Sequence, residues 1–394
     1  MSQPWPVVDL FSGAGGMSCG FSRHPAFEII GAADAQLGKP SAVAGSLGCN
    51  ASYAANIGLL PVEADLATAA PADVCQSMAI ATPRPAVLAA CPPCTGFSRA
   101  VSSNHMRDDH RNGLVRRIAD YAAVLRPEIV LMENARELVT GRFSSHLRGL
   151  LADLARLGYE ATADTHFLTD FGLPQRRERA IVIAVRRPLA VRGLRDLWHG
   201  WHVDAKATHV RRAIWDLPPV LAGHAHPADQ LHVSPALRSP LNQRRLAAVP
   251  HDGGSWADLI QRDAASLLTP AMARRVARGD LGSHPDIYGR LWWDRPAVTI
   301  KRECSHIGNG RYAHPDQDRL CTVREMALLQ GFPRDYAFAG TLANMYRHIG
   351  DAVPPLISYQ LAGLCAWILT GVRPAPEELI LPGCHLVPGD LVRV

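Results

Sequence analysis

Compact apolar runs, each closed by a polar or glycine-rich stretch, recur through the first half of the chain. They predict buried strands. Residues 7–11 (Val-Val-Asp-Leu-Phe) lead into the glycine-rich residues 12–17, and residues 28–33 end at Asp34. Residues 86–90 stop at Cys91-Pro92-Pro93-Cys94, and residues 129–132 carry Glu133-Asn134 at their carboxyl end. Residues 180–185 form a further run. Helices are predicted around 53–56, over 114–125 before Pro127, and from about 144 to 157. Residues 35–50 read as a loop insertion, and residues 99–113 as a mobile polar loop close to Cys94. Strands alternating with helices predict an α/β fold with a mostly parallel, doubly wound sheet. Such strands share one rim, so Phe11, Asp34, Cys94 and Glu133 are expected to converge.

The pattern then changes. In Gln175-x-Arg177-x-Arg179, period two puts the three polar residues on one face, continuing into Ile181 and Ile183. Residues 188–290 are rich in Pro, His, Arg and Trp, with little periodicity, and read as a second domain of short strands and long loops. Order returns at 319–333, where Thr322 and Glu325 predict a capping box and Gly331 with Pro333 a helix stop. Residues 350–355 open a final buried helix. The apolar residues 356–372 are short for a membrane span and include Ser358, Gln360 and Gly363. The expected division is a catalytic domain at 1–187, a smaller irregular domain at 188–340, and a return segment at 341–394.

Composition adds little to this. At 394 residues, 47% apolar and 20% charged, the chain has ordinary globular proportions and room for two cores. The net charge is +5, and only three of the 41 basic residues are lysines. Arginine suits phosphate and guanine, although GC-rich coding gives the same bias. Nine scattered cysteines without an export signal are expected to be reduced thiols in the cytoplasm. His224-Ala225-His226 and Cys304-Ser305-His306 lack four regularly spaced ligands, so no metal is expected.

Three stretches carry candidate chemistry. Cys94 follows two prolines at the end of a buried strand, a placement that suits a nucleophile. The same spacing also fits a Cys91/Cys94 redox pair, half a zinc site or a buried structural thiol. A glycine-rich loop followed about 20 residues later by Asp34 points to a nucleoside-containing cofactor. Asp65 fits an adenine contact or a plain cap, and Glu133 a site acid or a helix cap.

Taken together, Asp9–Gly16, Pro92-Pro93-Cys94, Glu133-Asn134, Gln175-x-Arg177-x-Arg179, the 319–333 block and Gly350-x-Ala352-Val353-Pro354 resemble the DNA (cytosine-5)-methyltransferases. The motifs stand in that family's unpermuted order and cover nearly the whole chain outside 188–290. Within that stretch, residues 251–256 and 288–293 look like bacterial members.

The resemblance implies a Rossmann-like methyltransferase domain with a target-recognition domain. It also implies methyl transfer from S-adenosylmethionine to C5 of a flipped-out cytosine. Cys94 would be the nucleophile at C6 and Glu133 the group at N3. Arg179 would hold the base carbonyl and orient Glu133, and Arg177, also in the catalytic set, would buttress the pocket or touch the backbone. The cofactor would lie against Phe11, Gly13 and Gly15, with Asp34 at its ribose, Asp65 at its adenine and Asp351 near its methionine end. Ser98, Arg99 and Gln175 would contact DNA.

Thr95, Ala135 and Asp351 depart from the usual Gln, Val and Asn. The added charge of Asp351 is expected to weaken cofactor binding. Double-stranded DNA is the expected partner, with a cognate restriction endonuclease, a monomeric state and no membrane. Transfer RNA as substrate and a disulfide oxidoreductase are the competing readings.

Overall fold

The computed structural model describes residues 3–37, 47–80, 84–93, 108–261, 265–279 and 286–394. Its strands in the first half are β1 (Trp5–Leu10), β2 (Phe27–Asp34), β3 (Val62–Glu63), β4 (Val87–Ala90), β5 (Ile129–Ala135), β6 (Tyr159–Phe167), β7 (Gln175–Arg176) and β8 (Glu178–Arg186). Seven of them form one sheet in the order β3-β2-β1-β4-β5-β8-β6. Neighbours from β3 to β5 are parallel, whereas β8 runs antiparallel to both β5 and β6. The mostly parallel α/β sheet expected from the apolar runs is present.

Period-two side-chain alternation divides these strands between two cores. Val7, Val87, Ala89, Leu131, Ile181 and Ile183 face one side. Val8, Leu88, Ala90, Val130, Met132 and Val182 face the other. The second side is covered by the helices Leu114–Leu125 and Ser145–Arg156. Each has an apolar stripe, Val115, Ile118 and Ala122 on one and Leu147, Leu150 and Leu154 on the other. The first helix ends with Arg126 in the left-handed region at φ 49°, and Pro127 cannot continue it.

The first side is covered by the helices Gly16–Arg23 and Pro355–Thr370. They meet at Gly20, whose N–H donates to Ser358 Oγ at 3.1 Å. The same hydroxyl donates to Gly16 O at 3.0 Å. A Cβ on Gly20 would lie 2.1 Å from Ser358 Oγ and 2.2 Å from Tyr359 N. Gly20→Ala is therefore expected to destabilise the fold by about 1–3 kcal/mol, read as a lower urea midpoint at unchanged slope.

The stretch Leu342–Thr370 is apolar and long enough to cross a membrane, but 83% of its apolar window is buried. It comprises two helices, Leu342–Asp351 and Pro355–Thr370, separated by Ala352, Val353 and Pro354. Gly350 and Asp351 thus end one helix; they do not open the next.

The chain does not leave the first core at residue 187. Leu194, Leu197, Trp198 and Val203 still pack with it, and Trp201–Val203 pairs with Leu391–Arg393. A second core gathers Val210, Ile214, Leu291, Trp293, Tyr312, Met326 and Tyr346. Its helix Val323–Leu329 is buried along its length and starts with the expected capping box. Glu325 N–H donates to Thr322 Oγ1 at 3.1 Å, and Thr322 N–H donates to Glu325 Oε2 at 2.7 Å. Arg319 donates to both Glu325 oxygens at 2.7 Å, with each side chain 1% exposed.

Among the described residues between 249 and 318, two buried arginines tie backbone segments together. Arg290 is fully buried and donates to Val249 O, Leu246 O, His314 O and Gln317 O. Arg311 donates to Gly253 O, Gly254 O and Arg290 O. Five donors on one rigid plane can satisfy several buried carbonyls that an irregular backbone leaves unpaired.

Candidate active site

The four parallel strands end in register. Leu10 pairs with Ala33 and Ala90, and Ala90 pairs with Met132. Phe11, Asp34, Cys91 and Glu133 therefore stand along one rim; of the four residues expected to converge there, Cys94 is outside the described residues. Cys94, Ser98 and Arg99 lie outside the described residues. The turn that leads to Cys94 is nevertheless anchored. Cys91 N–H donates to Leu10 O at 3.2 Å, and Asn134 Nδ2 donates to Pro92 O at 3.0 Å. The tip of β5 thus holds the proline turn beside its own acid.

Glu133 is 7% exposed on β5. The antiparallel register sets Ala135 opposite Arg179 and Glu133 opposite Ile181. Arg179 Nε then lies 2.8 Å from Glu133 Oε1. The pair forms one charged unit facing the rim, and β8 can offer it because its reversed direction brings residue 179 to this end of the sheet. Arg177 and Gln175 point elsewhere. Arg177 is 3% exposed and donates to Ile300 O at 3.1 Å and Ala352 O at 3.3 Å. It ties the sheet to the second core.

Gln175 is fully buried. Its Oε1 accepts from Ile300 N–H, and its Nε2 donates to Gln330 Oε1 at 2.7 Å. The DNA contact expected of Gln175 does not match this placement, because its amide is spent inside the protein. Its local pairing explains the difference: β7 pairs with Ala297–Val298, away from the main sheet.

A narrow cleft on this rim is lined by Phe11, Ser12, Gly13, Cys91, Asp351 and Val353, among others. Phe11, Gly13 and Gly15 all have positive φ (57°, 52° and 90°). For an aromatic residue this is a strained backbone state, one that turns the loop sharply out of β1. Asp34 Oδ2 accepts Gly13 N–H at 2.9 Å and Oδ1 accepts Gln36 N–H at 2.6 Å. Asp34 therefore shapes the glycine loop from the tip of β2. Ser12 Oγ is buried and has no hydrogen-bond partner among the described residues, so the cleft wall offers an unsatisfied hydroxyl.

Asp65 is exposed and caps its own turn, accepting Ala67 N–H at 3.0 Å. Asp351 lines the far wall of the cleft, 3.2 Å from Arg302 Nη1. His348 also lines it, one helical turn before Asp351, with Nε2 2.9 Å from Leu47 O. The i, i+3 spacing of His348 and Asp351 was the sequence signal that could have paired them.

Beneath the loop, Asp9 is buried at 1% exposure. Ser18 Oγ donates to it at 2.6 Å and lies 2.6 Å from Tyr53 Oη. Burial pushes the Asp9 carboxyl up to about 7, against the hydrogen bond from Ser18. An acid whose pKa is raised on folding loses stability as pH climbs from the unfolded value of 3.8 to about 7. Asp9→Asn removes the ionisation. It is expected to raise Tm at pH 8 more than at pH 5; equal changes would show that Asp9 does not titrate in this window.

A sequence model of the C-5 cytosine-specific DNA methylases matches residues 6–366. The Type II methylase M.HgiDII of Herpetosiphon aurantiacus is 31% identical over 292 residues, covering 73% of this chain and 77% of that one. The Type II methyltransferase M.AgeI of Thalassovita gelatinovora is 27% identical over 440 residues, covering 90% and 98%. Among solved structures, the Entamoeba histolytica methyltransferase EhMeth superimposes with a TM-score of 0.60. At 15% identity, over 94% of this chain and 100% of that one, it is similar in fold.

Proposed function

Because the chain belongs to the C-5 cytosine-specific DNA methylases, we propose that it methylates one cytosine within a short duplex DNA site, with S-adenosylmethionine as donor. The observation that carries this reading is the Glu133–Arg179 unit on the same rim as the Asp34-supported glycine loop and the Cys91–Pro93 turn. The cleft fits such a donor. Asp34 would take ribose hydroxyls with lone pairs its backbone contacts leave free, and the unpaired Ser12 hydroxyl would find a polar partner. When bound, the donor supplies an electrophilic methyl group.

The protein's own residues supply the rest. Cytosine C5 is a poor nucleophile inside an aromatic ring. The Cys94 thiolate forms a C–S bond to C6, which moves electron density onto C5 and N3. Glu133 shares a proton at N3, and Arg179 keeps it oriented and neutralises the charge that develops on the base carbonyl. The electron-rich C5 would then be placed to receive the donor's methyl group, the S–C bond electrons leaving with the neutral thioether. Water removes the C5 proton, and the C–H bond electrons expel the thiolate. C6 is out of reach within a stacked duplex, so the base must be flipped out.

Arg177 acts at one remove by holding the 300 and 352 segments against the sheet. Restriction–modification is the setting in which its Type II relatives are named, and a cognate endonuclease and a cytoplasmic monomer belong to this reading.

Bisulfite sequencing of plasmid DNA from cells expressing the chain tests it. Protected cytosines confined to one short motif are the expected result. Full conversion in the presence of folded protein would count against DNA as substrate and shift the test to transfer RNA.

A further inference from the structure

The cleft wall contributed by Asp351 has a charge that the reaction as written does not use. Resting on the cofactor reading above, we propose that Asp351 makes the cleft select the cationic sulfonium donor over the neutral thioether product left after methyl transfer.

The argument starts from what lines the cleft. Among its described lining residues no lysine or arginine is present, and Asp351 is the single formally charged group. The other ionisable neighbours there are Cys91 and His348. Burial lowers the pKa of His348, so its imidazole is neutral at ordinary pH. The charged groups that face Asp351 from surrounding elements are Arg302, Arg177, Glu303 and Asp34. Arg302 lies 3.2 Å from one carboxylate oxygen but stands outside the lining. The guanidinium of Arg177 is engaged by backbone carbonyls, Glu303 is paired with Arg347 at 3.3 Å, and Asp34 adds a second negative charge near the loop.

Desolvation by the cleft walls pushes the Asp351 carboxyl up to about 6, against the pull of Arg302 and Arg177, although 37% of its side chain still meets solvent. A cation in the cleft would relieve that cost.

Donor and product share adenosine, ammonium and carboxylate. They differ by one methyl group and one positive charge on sulfur. The change in the ratio of their affinities when the Asp351 charge is removed therefore isolates the charge effect. Cys91 and Asp351 both line the cleft, so a donor held there with its sulfur toward the Cys91 turn would share that space with the Asp351 charge. The charge expected from the sequence to weaken cofactor binding thus acts on the sulfonium with the opposite sign. Asn at this position keeps the shape and removes the charge.

The test is equilibrium binding of S-adenosylmethionine, S-adenosylhomocysteine and the amine analogue sinefungin to the full chain, by calorimetry without DNA. At pH 8 the donor-to-product affinity ratio is expected to be about tenfold higher in the unaltered protein than in Asp351→Asn, equivalent to about 1.4 kcal/mol. Sinefungin, protonated at its amine, should follow the donor. At pH 5, with the carboxyl protonated, the two proteins should converge.

Arg302→Gln is the second variant. Removing the countercharge should raise the ratio further, and an unchanged or lower ratio overturns the proposal even if Asp351→Asn fails to fold. Equal ratios in the unaltered protein and Asp351→Asn at pH 8 overturn it as well. No binding of any of the three ligands to the unaltered protein would instead overturn the reading of the cleft as the cofactor site.

Discussion

Replacing Cys94 with serine is expected to abolish methyl transfer while leaving DNA binding intact. A serine hydroxyl is of similar size, so the turn set by Pro92, Pro93 and the Asn134 contact is not asked to change. What is lost is nucleophilicity. A thiol ionises to a thiolate far more readily than a serine hydroxyl gives an alkoxide. A loss of at least about 10³-fold follows, roughly 4 kcal/mol in the barrier. Radiolabelled methyl transfer measured beside a gel shift on the same duplex separates the two functions. Retention of full activity would rule out the covalent route and leave the Glu133–Arg179 unit without its partner.

The largest expected effect on stability lies far from that chemistry. Arg319 and Glu325 are both 1% exposed and doubly hydrogen-bonded. Glu325→Ala leaves a guanidinium buried without its countercharge and opens the cap at Thr322. It should cost about 3–5 kcal/mol in a guanidinium melt. The pair replaced together by Met and Leu should cost far less, because two matched charges leave at once.

Burial alone would raise the pKa of Glu325, but the hydrogen bonds and charge of Arg319 hold it at about 2. A depressed acid adds stability above its unfolded pKa, here 4.5, and loses it as pH falls toward 2. Acid unfolding between those values should be blunted in the apolar double variant. An identical acid transition would show that another carboxylate governs it.

The sheet and its rim were legible because buried parallel strands leave uninterrupted apolar runs whose carboxyl ends share one edge. The helix Leu114–Leu125 was legible from its stripe and Pro127. β6 was not, since only Tyr159 and His166 of its nine residues are buried, as suits an edge strand. The irregular region could not be read from hydropathy either. Its backbone is satisfied by Arg290 and Arg311, and an arginine that staples a core looks in sequence like one that meets DNA.

Gln175 shows the same difficulty at the site. Its role depends on Gln330, 155 residues further on, and no local pattern carries that distance. Glu133 was identifiable from its place at the end of an apolar run, whereas its pairing with Arg179 came from the family resemblance and not from any visible register.

The crossing of Gly20 with Ser358 joins residues 338 positions apart. On the ribosome, the helix Gly16–Arg23 must wait for nearly the whole chain before its apolar face is covered. The cleft is in the same position, since Asp351, Ala352 and Val353 line it from more than 300 residues after the glycine loop. If the cleft holds the donor as proposed, binding cannot steady the emerging N-terminal half before this wall is synthesised. Under the proposed function, the donor would therefore find a complete cleft only once the helix Pro355–Thr370 has docked. A chain truncated before residue 355 should be both unstable and inert.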